Sequence, residues 1–577
     1  MKNVKSILSL LSAGSSNKII LIVFLIISNS FIEMLGIALI YPIINILLVD
    51  NFVDQILRYD FSGLFFNKDK KEIFKILLFL LMFSIFFKFV FQIALTRKIA
   101  KFNGFQEANI SILLLKKYLQ FPYIFFLNKN SSTIINELTQ VTGRFVSQIL
   151  NPMLILFSDG FLLLIASFFL IYIDYKVFIF ATSILLLFSF FYISIIKKKI
   201  FEWGKNLNDY DGKKINIIQQ IFLSLRNFKL SKNQHIFFNS YSDYSIKRVN
   251  IIANYRTILD IPKLSLELIV VVLFSTFLIY LNGKNFPSVE IVSYVSVYAV
   301  CFIRLMPVVN RVLFNLQELR YGKDSLDKLL AIKNNVNIDQ KVITTDQNIN
   351  FNTVKIENIF FNNVSFGYGS DKLILKNINL KILKGEKIGI IGKTGSGKTT
   401  FVDILCGLIN PTIGEVLYNQ KNIYYNLELY KRSVGYVPQA VFLNDDSIIK
   451  NIAFGVEVDQ IDHSKINLIL EILNLDSLVK SLPDKLNTKV GENGFCLSGG
   501  QRQRIGIARS IYHEPNIIIF DEATNSLDSD TEKSIFNNLK NYLKNVTIVM
   551  ITHNVETLKF CSRVLKVQDG KVFDKTN

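Results

Sequence analysis

Residues 388–405 read IGIIGKTGSGKTTFVDIL, a β-branched run followed by a glycine-rich turn and a helical pattern. Gly392, Gly395 and Gly397 let the backbone curl so that successive N–H groups, with those of Lys393, Thr394 and Ser396, face one anion. The helix that starts here adds the positive end of its dipole. Lys398 is spaced to reach the β- and γ-phosphate oxygens of a nucleotide, and Thr399, beside Thr400, to ligate Mg2+. A hundred residues on, NIIIFDEAT ends a buried strand on Asp521, a second Mg2+ anchor, followed by Glu522, placed to take a proton from an attacking water. Between the two lies LSGGQRQR, residues 497–504, whose Ser498, Gly499, Gly500 and Gln501 offer a further phosphate-contacting surface. The chemistry expected is phosphoryl transfer from ATP to water, with Mg2+ as cofactor.

A second group of residues is out of place in a different way. The apolar segment YAVCFIRLMPVVNRVLF, residues 298–314, carries Arg304 and Arg311, and other apolar runs carry Lys88 and Lys263. Ionisable groups inside membrane spans are costly, and by default they mark function when they face a bundle interior. Arg304 and Arg311 are seven residues apart, two helical turns, and so share a face, with Pro307 between them as a possible kink. All four cations fall at a similar depth toward the inner leaflet, where they would line a substrate cavity. Snorkelling to lipid phosphates is the plain alternative. Glu267 stands four residues after Lys263 as an ordinary helix pair, and Glu33 and Asp159 are available to neutralise others.

These residues need two kinds of scaffold. Of 577 residues half are hydrophobic, the mean hydropathy is +0.34, and the apolar residues concentrate in the first three hundred or so. Six stretches suffice for a bilayer core: 19–48, 73–95, 152–173, 177–196, 264–281 and 288–307. The expected architecture is a polytopic α-helical membrane domain over 1–332, a linker over 333–354, and an α/β P-loop domain over 355–577. An even number of spans leaves both ends on one side, and the long, Lys/Arg-rich connections 97–150 and 200–260 put that side in the cytosol. They are patterned as helices. Residues 50–72 mix aromatics with charges, as a segment at the outer interface does, and the amino end reads as an uncleaved helix at the inner surface. The net charge of +19 follows a Lys-rich composition without a dense basic patch, so nucleic acid is not expected as a partner. The four cysteines are too dispersed for a disulfide framework or a zinc site.

With LSGGQRQR in place, the sequence resembles the nucleotide-binding domain of ABC ATPases, and the remaining motifs follow in order: Tyr368 in FGYG, Gln439 in VGYVPQ, Glu492 in VGENG, Asp528 in NSLD and His553 in ITH. The resemblance implies that Tyr368 stacks on adenine, that Gln439 senses Mg2+ and the γ-phosphate, that His553 holds that phosphate, and that Glu522 is the catalytic base. It also implies that Ser498–Gln501 complete the site of a partner subunit, hence a homodimer with two competent sites. Asn525 departs from the small residue usual there. Six spans ahead of one such domain resemble an ABC exporter half-transporter of the type IV fold. No peptidase segment is read before the first span, which turns the expectation away from leader-cleaving bacteriocin exporters. SFIEMLGIALIYPII, IPKLSLELIVVVLF and RLMPVVNR resemble the PglK-type flippases of lipid-linked oligosaccharides, whose cavity cations are thought to engage pyrophosphate. Lys88 and Lys263 stand where that family carries arginine, which keeps charge and loses the bidentate fork. The expected function is ATP-driven movement of a polyprenyl-pyrophosphate-linked glycan across a bacterial inner membrane, with the ATPase in the cytoplasm. Export of a peptide or another lipid, and an ATP-gated channel or regulator, are the alternatives.

Overall fold

A computed structural model describes residues 7, 9–11, 15–48, 69–173, 175–283, 288–334, 355–368, 372–524 and 526–575; some side chains within helices, Arg304 and Cys301 among them, lie outside that description, as do Asn525 and the expected interfacial segment up to residue 68. The chain divides into two compact units, residues 1–343 without 122–124, and residues 344–577 with 122–124.

The first unit is helical. Its Leu-, Ile- and Phe-rich runs form α1 (Ser15–Ala38), α2 (Ile40–Leu48), α3 (Lys70–Gln120), α4 (Asn151–Ile173), α5 (Tyr175–Leu223), α6 (Gln234–Gly283), α7 (Ser288–Tyr321) and α8 (Lys323–Asn334). Three described runs, Asn17–Gly36, Lys70–Gln120 and Ser131–Phe168, are long and apolar enough to cross a membrane; the other apolar stretches lie within α5, α6 and α7. The 51 residues of α3 extend about 75 Å at 1.5 Å each, more than twice a hydrocarbon core of about 30 Å. The connections patterned as helices are thus continuations of α3, α5 and α6. The helical run before α4 contains two π turns, Glu137–Val141 and Val146–Leu150, either side of Arg144. At the amino end Ile7, Leu10 and Leu11 are buried with Leu114, Tyr118, Leu326 and Leu329, so this segment packs on α3 and α8 instead of offering those residues to lipid.

Two buried polar clusters fix the extensions. Asp211 on α5 receives Arg144 and, at 2.7 Å, Arg248 of α6, while neighbouring Asn208 accepts from Arg144 and donates to Asp324 of α8 at 2.7 Å. Tyr255 of α6 donates to Glu318 of α7 at 2.9 Å and stacks on Tyr321 with ring centroids 3.8 Å apart. Burial holds the Glu318 carboxyl above its usual range.

The second unit is α/β. One antiparallel sheet has the order β2–β1–β4–β5, from β1 (Asn358–Phe366), β2 (Leu375–Leu383), β4 (Ile413–Tyr418) and β5 (Lys421–Asn422). The other has the order β10–β9–β3–β8–β7–β6, from β3 (Lys387–Ile391), β6 (Val434–Val437), β7 (Ile517–Asp521), β8 (Thr547–Ile551), β9 (Arg563–Gln568) and β10 (Lys571–Asp574); its pairings are parallel except β9–β10. Strands β7 and β8 are apolar almost throughout because helices cover both faces of a parallel sheet. The layout carries the carboxyl ends of β3 and β7 to one edge, where ligands of such sheets bind.

Close helix approach gives a test of the first unit. A methyl group at Gly204 of α5 would collide with the backbone carbonyl of Tyr321, whereas one at Gly104 of α3 would meet nothing within 4 Å. Gly204→Ala should therefore lower the melting temperature of the detergent-solubilised protein, because overpacking costs about 1–3 kcal/mol. Gly104→Ala should leave it unchanged or raise it, since alanine favours a helix by up to about 1 kcal/mol.

Candidate functional site

Strand β3 delivers the chain into the glycine-rich loop. Gly392, Gly395 and Gly397 have φ of 157°, 77° and 103°, and a side chain at Gly392 would run into the Val567 carbonyl, so the loop can take this path only with glycine there. Helix α9 (Lys398–Leu405) starts at once, carrying Thr399 and Thr400 in its first turn. Lys398 folds back so that its ammonium donates to the carbonyls of Gly392 at 2.7 Å and Lys393 at 3.0 Å. The Ser396 hydroxyl is buried and makes no hydrogen bond among the described residues. Tyr368, half exposed, sits edge-on to Phe366 and brings its hydroxyl to 3.5 Å from that of Thr400.

Strand β7 ends on Asp521, whose carboxylate accepts from the Tyr436 hydroxyl at 3.0 Å. Glu522 then takes φ 49°, a left-handed conformation unusual for a residue with a long side chain. Its amide is held by the Ile551 carbonyl at 3.0 Å, and its carboxylate receives the Gln439 amide at 2.8 Å on one oxygen while His553 Nε2 lies 3.6 Å from the other. Gln439, Glu522 and His553, from three separate segments, thus meet at one carboxylate. Burial, with Glu522 adding to it, raises Asp521 above the usual carboxylate range; burial and then Asp521 push Asp403 to about 6. Crowded carboxyls near a hydroxyl and an amide oxygen make a hard-oxygen donor set suited to Mg2+, which Asp521, Thr399 and Gln439 would hold. Together with the unpartnered Ser396 hydroxyl inside a ring of left-handed glycines, the residues fit a Mg2+–nucleotide. Tyr436 and Asp403 are the members sequence reasoning missed. Tyr436 stands three residues ahead of Gln439 on the outward side of β6, a position that its alternating burial marks.

Ser498 caps α10 (Gly499–Tyr512), and the bonds of Ser498 and Gln501 go to each other: the Gln501 amide donates to the serine hydroxyl at 3.2 Å and the Ser498 amide to the glutamine side chain at 2.9 Å. This reciprocal cap leaves the exposed Ser498 at a helix N-terminus. Gln503 accepts from the Ser526 amide at 3.1 Å and ties this turn to the segment beyond Glu522. Asp528 caps α11 (Ser529–Tyr542).

In the helical unit a cavity of about 690 Å3 opens among α1, α3, the second π turn, α4 and α7. Its aliphatic wall comes from residues such as Leu95 and Ile155, its polar wall from Asn29, Gln92, Asn103 and Asn151. Lys88 and Arg311 both line it. Neither cation is bare: Lys88 donates to Glu33 at 2.5 Å, and Arg311 grips Asp159 with both arms of its fork, at 2.8 and 3.1 Å. Lys263 is exposed on α6 and is not among the residues lining this cavity, and Glu267 is not buried with it. Arg304 belongs to α7, but its side chain is outside the described residues.

If Glu522 is the base that the sequence motifs make it, Glu522→Gln should retain ATP binding and lower phosphate release about 10²–10⁴-fold. Steady-state phosphate assays beside nucleotide-binding titration check this, and turnover within about tenfold of wild type would contradict it.

Comparison with known proteins gives concordant likenesses. Residues 375–525 match the family model described as ABC transporter. The lacticin-481/lactococcin-DR transport/processing ATP-binding protein of Lactococcus lactis is 30% identical over 500 residues, 82% of this chain and 67% of that protein. An ATP-dependent lipid A-core flippase of Cupriavidus metallidurans is 36% identical over 220 residues, 38% of this chain and 37% of its own, and the chain spans less than half the length of other curated relatives as well. Among solved structures a bacterial Atm1-family ABC exporter with ATP bound superposes with a TM-score of 0.78 over 97% of this chain and 95% of that one, at 18% identity, a likeness of fold. Glycine-rich loop, Asp521–Glu522 edge, LSGGQ cap and a helical unit ahead of them agree with that match along most of the chain: the protein belongs to the ABC transporter family and has the exporter fold.

Proposed function

We propose that the chain is one half of a homodimeric, ATP-driven flippase with six membrane spans, residing in a bacterial inner membrane, that moves a lipid carrying a phosphate-bearing polar head, a polyprenyl-pyrophosphate-linked glycan above all. The observation that carries this is the cavity among apolar helices whose polar wall includes Lys88 and Arg311. Taking a pyrophosphate and a glycan through hydrocarbon is prohibitive, since an isolated charge costs tens of kcal/mol in the idealised limit. A wet cavity with cationic donors lowers that barrier while the lipid tail stays among lipids. Arginine is the side chain suited to phosphate oxygens, and Arg311 lines the cavity with its fork on Asp159, the contact that a phosphate would exchange for its own oxygens.

The roles proposed for the ATPase unit follow the motifs. Tyr368 takes the adenine; the backbone N–H groups from Gly392 to Gly397, with Lys398, take the phosphates. Mg2+ supplies charge neutralisation there, held by Thr399 and Asp521 with Gln439 in attendance. Glu522 takes the proton of the attacking water and His553 steadies the γ-phosphate. Ser498–Gln501 of each copy face the nucleotide of the other. ATP hydrolysis then resets the closed pair.

A second function has its own support: a relative matched over 500 residues is a transport/processing protein for lacticin-481 and lactococcin-DR, so peptide export stands beside lipid flipping. Proteoliposomes separate the two. ATP-dependent movement of a polyprenyl-pyrophosphate oligosaccharide, but of neither a neutral glycolipid nor an amine-free phospholipid such as phosphatidylglycerol, with no movement by Glu522→Gln, is the expected result. ATP turnover without movement of any lipid would favour the peptide exporter.

A further inference from the structure

Among the described residues, the charges lining the cavity sum to zero. Glu33 of α1 faces Lys88 of α3, and Asp159 of α4 faces Arg311 of α7, each across a helix interface, and the Glu33 charge is also felt by Arg311. The acids are the more deeply set: their side chains are 19% and 6% exposed, against 25% and 48% for Lys88 and Arg311. A bare anionic head group drawn to the two cations would come to rest beside two carboxylates that cannot leave, because each is fixed to its own helix. The capacity still open is for acceptance as well. Asn29, 4% exposed, and Asn103 both line the cavity, and the side-chain carbonyl oxygen of each is buried without a donor among the described residues, although Asn103 itself donates to Asn151 at 3.0 Å. Two carboxylates and two unfilled amide oxygens ask for N–H donors.

Given the flippase function above, we propose that the cavity selects a lipid head group bearing an ammonium as well as a phosphate. The phosphate takes Lys88 and Arg311, and the ammonium takes Glu33 and Asp159 with the carbonyl of Asn29 beside them. The ammonium offers three N–H donors to the two carboxylates and matches one of their two charges, so less carboxylate charge is left facing the phosphate than with a purely anionic head group. Removing one partner of such a pair is what is costly; exchanging partners is not. Glu33 and Asp159 are thereby specificity residues, setting the preference for an amine-bearing head over a purely anionic one.

The experiment compares two probes that differ by a single acetyl group: a polyprenyl-pyrophosphate hexosamine with a free amine and its N-acetylated counterpart, each in proteoliposomes of the full-length protein with ATP. The free amine should move at least about tenfold faster at limiting concentration. Glu33→Gln and Asp159→Asn should each bring that ratio toward one or invert it in favour of the acetylated, more anionic probe. Equal movement of both probes by the wild-type protein would overturn the proposal while leaving the flippase function standing, and this comparison needs no variant to fold. An unchanged ratio in both folded variants would overturn it too. Movement of neither probe while ATP is hydrolysed would overturn the flippase function itself.

Discussion

A charge surrounded by apolar side chains must meet a charge of opposite sign or leave, and the helical unit is organised by that requirement. Lys88 and Arg311 stand on helices rich in apolar residues, and each has its counterion on a different helix. These pairs cross-link α1 with α3 and α4 with α7, the helices around the cavity. Elsewhere in this unit, Asp211 does the same for the extensions, drawing Arg144 and Arg248 from separate segments. Such pairs contribute little net stability over well-packed apolar residues, but breaking one costs about 3–5 kcal/mol, which makes them markers of position and points of exchange.

The ATPase unit depends on a similar arrangement of carboxylates at the sheet edge. Asp521 and Glu522 are adjacent, and the left-handed turn at Glu522 points their side chains to different partners, Tyr436 for one and Gln439 with His553 for the other. Backbone strain thus falls at the position where two acids must do two things. The glycine-rich loop and the reciprocal cap of Ser498 and Gln501 present N–H groups suited to the anionic oxygens of a triphosphate, each on its own surface of the unit.

Most of this unit was legible in the sequence, because a phosphate loop, a strand ending in Asp-Glu and an LSGGQ turn are local patterns whose geometry follows from a few adjacent residues. The helical extensions were legible too, since the connection beyond the expected span reads as helix, and one helix runs from Lys70 to Gln120. What was not legible depends on contacts between distant segments. Glu33 and Asp159 were visible as candidate counterions, but nothing in the spacing assigns Glu33 to Lys88, 55 residues away, or Asp159 to Arg311, 152 residues away. At Lys88 and Arg311 the expected cations stand in ion pairs. Lys263, at the depth of Lys88 by residue count, lies exposed on α6, since depth says nothing of which way a helix turns. The π turns around Arg144 and the burial of Ile7, Leu10 and Leu11 leave no signal in local composition.

If cavity and ATPase unit are one machine, filling the first must change the rate of the second. The most direct measurement is ATP hydrolysis by the reconstituted protein against increasing polyprenyl-pyrophosphate glycan, in wild type and in a variant combining Arg311→Gln with Asp159→Asn, which removes an ion pair without stranding either charge. Saturable stimulation in the wild type that is lost in the variant is the result expected. A flat response in the wild type, or equal stimulation in both, would contradict the assignment of this cavity as the site from which transport is driven.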